Sequence, residues 1–187
     1  MDQQASRWHI SVDRAVIQDG RHPDFHRGQQ TTFAATFRPA AWAPGTSGGG
    51  VADGGVAGGA IATAVRVEAS LYDVVGRVTA VADDGWELDC GLVVGCEGPP
   101  PAGLGVGGWV VGRAELAVGD RGPDHTWFIE RVHHRVADDV EVLDLGLMGG
   151  PEEPGWEELA FTNAWQDDDG QAEYLLDCLL VVDEGPN

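Results

Sequence analysis

Lysine is absent from this sequence, and all eleven basic residues are arginine. With abundant Ala, Gly, Val and Asp, the absence reflects GC-rich codon usage and carries no mechanistic meaning. Cysteine is scarce: Cys90, Cys96 and Cys178 are an odd number, and the Met1-Asp2-Gln3-Gln4 start lacks the basic and apolar regions of a secretory signal. The expectation is a cytoplasmic protein with reduced thiols. No apolar run approaches the ~18 residues of a membrane-spanning helix, so no membrane association is expected.

Motifs of common chemistries are missing too. The glycine runs have no following Lys-Ser or Lys-Thr, so they do not form a phosphate-binding loop, and a Gly-x-Ser-x-Gly elbow is absent. Cys90 and Cys96 do not form a CxxC pair. No nucleophile, base and oxyanion donor assemble in the sequence, so no catalytic residues and no cofactor are assigned.

Base is also missing from the last fifty or so residues of the sequence. The net charge is −20; residues 1–45 carry +1 and residues 46–136 carry −6, whereas residues 137–187 hold fifteen acids and no arginine. Such a field repels phosphate backbones and favours a basic protein partner. Nucleic acid is therefore disfavoured as a ligand, because its binding draws on Lys and Arg that displace counterions. Oligomeric state is not legible.

What is present is strand pattern. Trp8 to Ile17 and Thr31 to Phe37 read as strands, the first placing Trp8, Ile10 and Val12 on one face. Residues 39–60 hold eight glycines and are expected to form a flexible loop within a single β domain spanning 1–187. Tyr72–Val81 and Trp86–Val94 form a hairpin through Asp83-Asp84-Gly85, with Cys90 on the apolar face of its second strand. Trp109–Val118 and Thr126–Val136 follow as strands. Glu152–Trp165 suggests a short helix near the C-terminus, with acids at its N-terminal end. The near-continuous apolar run Tyr174–Val182 predicts a strand buried on both faces.

Two echoes occur. Val74-Val75-Gly76-Arg77 recurs as Val110-Val111-Gly112-Arg113, with glycine marking a bulge or sharp coil in each strand. Leu88-Asp89-Cys90-Gly91-Leu92-Val93-Val94 recurs in part as Leu176-Asp177-Cys178-Leu179-Leu180-Val181-Val182, by convergent use of a good strand. The run from Tyr72 through Trp86-Glu87-Leu88-Asp89-Cys90-Gly91 to Gly107-Gly108-Trp109-Val110-Val111-Gly112 resembles small β-barrels of OB type. It is also similar to actinobacterial proteins that pair this segment with a closing Tyr174-Leu175-Leu176-Asp177-Cys178 strand. The resemblance implies an all-β, OB-like barrel, closed or partly open, and no activity.

Three functions are weighed. The first is a non-catalytic acidic interaction protein of immunity or inhibitor type, docking on a basic protein through Asp138, Asp139, Glu152, Glu153, Trp156, Glu157, Trp165, Asp167, Asp168 and Asp169. The second is an OB-type binder of single-stranded nucleic acid or another linear ligand, using Arg7, Arg14, Arg21, Arg27 and Arg38 beside Trp8 and Phe25. The third is a metal-dependent enzyme built on His22, His26, His125, His133 and His134. Pro23 between His22 and His26 argues against a helical ligand pair, and adjacent His133 and His134 on a strand point to opposite faces. No metal ligands are therefore assigned.

Overall fold

A computed structural model describes residues 6–45, 61–135, 155–165 and 173–181. Its strands are β1 (Arg7–Asp13), β2 (Gln30–Pro44), β3 (Thr63–Glu68), β4 (Leu71–Ala82), β5 (Gly85–Asp89), β6 (Val93–Glu97), β7 (Trp109–Gly119), β8 (Asp124–Arg135), β9 (Trp156–Leu159) and β10 (Glu173–Leu180). One five-residue helix, α1 (Arg14–Gln18), follows β1. It ends the first strand sooner than its apolar pattern suggests, because the Asp13 side chain caps it by accepting the Ala15 N–H at 2.9 Å.

The ladders close on themselves, as expected of a small all-β barrel. Going round, β4, β5, β6, β2, β8, β10, β1 and β7 form a circuit of eight strands that returns to β4. The long β2–β7 ladder, Ala34 to Pro44 against Gly119 to Val110, runs across this circuit. It divides the circuit into two rings of five strands. A ring of five cannot alternate direction all the way round, so each needs a parallel pairing. Thr36 and Phe37 against Gly95 and Cys96 supply one, and Ser11 against Ala117 supplies the other. Each ring has the strand number of an OB-type barrel, but here the two share a ladder.

Where β1 leaves β7, the Tyr72 hydroxyl takes the place of a neighbouring strand. It accepts the His9 N–H at 2.7 Å and donates to the His9 carbonyl at 3.3 Å. Backbone groups at the junction are thus paired without a ladder.

Alternation on β1 holds: Trp8, Ile10 and Val12 are buried in the core. β10 lies between β1 and β8, and Tyr174 through Cys178 are all buried, as its apolar run predicts. The Val74–Arg77 and Val110–Arg113 echoes are antiparallel partners, with Val74 opposite Gly112 and Gly76 opposite Val110. Their glycines permit close approach: a Cβ on Gly76 would lie 2.6 Å from Leu88, and one on Gly112 would overlap the Trp42 ring and the Ala41 carbonyl.

Three local expectations are corrected. Residues 39–44 are not loop but the end of β2, because Trp42 gives the segment a packing face against Trp86, with ring centroids 5.5 Å apart; residues 46–60 lie outside the described residues. Trp86–Val94 is not one strand: Gly91 at φ +95° and the Asp89 side chain accepting the Gly91 N–H turn the chain between β5 and β6. The second echo therefore differs in structure, since Leu176–Leu180 stays within the single strand β10, with only a register shift against β8 between Asp177 and Cys178. Finally, the segment expected as a C-terminal helix contains the strand β9, which pairs Trp156–Leu159 with Arg135–Val132. Ladder hydrogen bonds to β8 override its weak helical spacing.

Candidate protein-binding surface

β9 and the turn after it hold three large exposed side chains within ten residues: Trp156 is 38% exposed, Phe161 42% and Trp165 66%. The turn is fastened from below. The Phe25 N–H donates to Thr162 Oγ1 and the Thr162 N–H donates to the Phe25 carbonyl, each at 2.9 Å, while the Thr162 hydroxyl donates to Asp24 Oδ1 at 2.9 Å. Further along, Ala164 is fully buried and its carbonyl accepts the Gln18 side-chain amide at 2.8 Å. These anchors fix the backbone and leave Phe161 and Trp165 facing out.

Between β9, the turn and the start of β10 lies a cleft of about 250 Å³, lined by His134, Leu159, Ala160, Phe161, Asn163 and Tyr174. Tyr174 forms part of its buried wall, and its hydroxyl accepts the Asn163 N–H at 3.2 Å. His134 packs on Tyr174 with centroids 5.3 Å apart, and His26 stacks on Phe161 at 5.3 Å. Glu157 pairs with His134 across the β8–β9 ladder and is exposed. Its neighbour Glu158 is neutralised by Arg27 at 2.9 Å.

Of the residues expected to meet a partner, Trp156, Glu157 and Trp165 are exposed, with Trp156 and Glu157, adjacent on β9, pointing to opposite faces of that strand. Asp138, Asp139, Glu152, Glu153, Asp167, Asp168 and Asp169 lie outside the described residues.

The five histidines considered for a metal do not converge. His22 packs on Phe25, His26 on Phe161, His125 contacts the Val93 carbonyl at 2.7 Å, His133 faces Asp177 and His134 faces Tyr174. Among the described residues no group of three His, Cys, Asp or Glu is arranged to hold a metal ion. The three cysteines are buried and unbridged. Burial pushes the Cys90 thiol up to about 11 and raises Cys96 and Cys178 as well, which suits packing and not nucleophilic chemistry.

The two aromatic residues considered for stacking a nucleic-acid strand are not on the surface. Trp8 and Phe25 are core residues at 7% and 1% exposure. Four of the five N-terminal arginines are paired with acids: Arg7 with Glu130, Arg21 with Asp19 and Asp120, Arg27 with Glu158 and Arg38 with Glu97.

A polar cluster that was not singled out from the sequence sits on the outer side of β1 and β10. Asp177 Oδ1 is 2.6 Å from His9 Nδ1, within ion-pair range though off the direct hydrogen-bond line, and Oδ2 is 3.5 Å from His133 Nε2. Arg66 NH1 lies 3.0 Å from His9 Nε2. Burial pushes the Asp177 carboxyl upward, but the two histidines together outweigh it and hold it below the usual carboxylate range. The signal was legible: Asp177 is the lone acid inside the apolar stretch of β10. Among the described residues no helix is long and apolar enough to cross a membrane. Searches of family models, curated proteins and solved structures find no match to this chain.

Proposed function

We propose that this protein is a non-catalytic acidic binder of inhibitor or immunity type, docking on a basic protein through β9 and the turn that follows it. The observation that carries the reading is the exposure of Phe161 and Trp165 on an anchored turn, with Trp156 also exposed on the adjoining β9. Aromatic side chains that stay exposed on a fixed backbone are the usual anchors of an interface, because they bury much area at little entropic cost. The net charge of −20, with its base-free stretch over 137–187, supplies the long-range attraction that steers a basic partner in. Buried free thiols suit a reducing cytoplasmic setting.

Retention of a basic protein from cell extract at low salt, its release at high salt, and loss of retention by the Trp156→Ala/Trp165→Ala double variant are the expected results. Both tryptophans are exposed enough that this variant keeps its fold. Failure of the unaltered protein to retain any basic partner at low salt overturns the reading.

A further inference from the structure

We infer that His9 is a pH-sensitive latch, holding the edge strand β3 against β1 while its ring is neutral and releasing it when the ring takes up a second proton. β3 stands outside the closed circuit and, among the described strands, pairs only with β4. Arg66 gives it a second tie to the barrel. Opposite Tyr72 on the β3–β4 ladder, Arg66 shares the face of that buried ring and reaches β1, where NH1 lies 3.0 Å from His9 Nε2. Its Nε donates to the Ala69 carbonyl at 2.8 Å.

The state of the ring follows from its neighbours. A guanidinium has donors and no acceptor, so its contact with Nε2 requires that nitrogen to be unprotonated. The proton of the neutral ring is then on Nδ1, which faces Asp177 Oδ1 at 2.6 Å. A second proton has to go on Nε2, where it meets a donor of like charge and breaks the contact. Asp177 favours that proton and Arg66 opposes it, so the ring has two settled states: neutral with Arg66, or charged with Asp177 alone. Arg66 is exposed and is the partner that can leave.

Histidine is the side chain whose charge ordinarily changes between about pH 5 and about pH 8. The Asp177 carboxyl is held below the usual carboxylate range by His9 and His133 against the pull of burial, and burial pushes the Tyr72 hydroxyl up to about 12. Arg131, opposite Asp177 on β8, and Arg7, paired with Glu130 at 2.7 Å, keep their charge throughout. On β7, Glu115 accepts the Ser70 hydroxyl at 3.2 Å. His133 is the second histidine at Asp177, with Nε2 3.5 Å from Oδ2, and the test has to separate it from His9.

The test is NMR of the nitrogen-15-labelled protein between about pH 8 and about pH 5. At the upper pH the ring nitrogen signals of His9 are expected to place its proton on Nδ1. On acidification the Arg66 Nε–H signal is expected to move along the same curve as the His9 ring. Hydrogen-exchange protection of the β3 amides, taken as a ratio to β10 to cancel the intrinsic pH dependence of exchange, is expected to fall roughly tenfold, the equivalent of one lost charge-assisted hydrogen bond. Arg66→Ala, at an exposed position, is expected to make that ratio independent of pH, whereas His133→Gln leaves its pH dependence in place. A His9 proton on Nε2 at the upper pH overturns the inference without recourse to any variant. So does a β3 to β10 ratio that stays level with pH, a pH dependence that survives Arg66→Ala, or one that vanishes in His133→Gln.

Discussion

At the scale of single residues, the chemistry of this protein is governed by which polar groups are covered and by what. Asp177 stands in the middle of a strand whose neighbours are all apolar, and its side chain is only 12% exposed. A carboxylate so placed is tolerable because His9 and His133 face it from the two adjoining strands. Burial opposes its charge and the histidines favour it, and the net depression of its pKa links folding to pH. A group whose folded pKa lies below its unfolded value contributes stability that is fully present above the unfolded pKa of about 3.9 and is lost as pH falls through the folded value. The stability difference between the unaltered protein and Asp177→Asn, measured by urea unfolding, is therefore expected to be present above the unfolded carboxylate pKa of about 3.9 and to shrink as the pH falls below it. A difference that stays constant as the pH falls through and below about 3.9 contradicts the role given to this carboxylate.

At the scale of elements, β2 and β7 carry the architecture, since each belongs to both rings. Their ladder is possible only because Gly112 leaves room for the Trp42 ring opposite it, and Trp42 in turn packs against Trp86. Gly112→Ala puts a methyl group into that space, where backbone and ring must both give way. A loss of about 1–3 kcal/mol, the usual cost of overpacking, is expected in chemical denaturation. An unchanged midpoint would mean that the ladder does not depend on this approach. β9 illustrates the opposite case, of an element whose local signals mislead. Acids at the start of the 152–165 segment and Trp156, Leu159 and Ala160 at helical spacing favour a helix, yet a stretch of that length is marginal as a helix without help. The edge of β8 offers that help to a strand instead.

At the scale of the whole molecule, charge and topology set behaviour that no single contact explains. A chain carrying −20 repels itself in the compact state, and added salt screens that repulsion. The melting temperature is therefore expected to rise as sodium chloride is increased from about 0.01 M to about 0.3 M, over which the Debye length falls from roughly 30 Å to well under 10 Å. A melting temperature that falls or stays level would show that the exposed ion pairs outweigh the net repulsion. The same screening weakens the steering of a basic partner, so stability and capture are expected to respond to salt in opposite directions.

The sequence by itself determined the strand class of most segments, the inward face of β1, the hairpin at Asp83-Asp84-Gly85, the two-sided burial of β10 and the location of the negative charge. All of these follow from periodicity, turn residues or composition, which act over a few neighbouring positions. It also nominated Trp156, Glu157 and Trp165, which the structure leaves exposed, from aromatic and acid content alone. Only the tertiary structure decided that β1 and β10, from opposite ends of the chain, lie side by side, that the two Val-Val-Gly-Arg segments pair with each other, and that His9 meets Asp177. It likewise decided that Trp8 and Phe25 face the core and Phe161 faces solvent beside a cleft. The physical reason is the same in each case: a residue's own spacing sets which way it points within an element, but what it meets depends on how strands far apart in sequence close into rings.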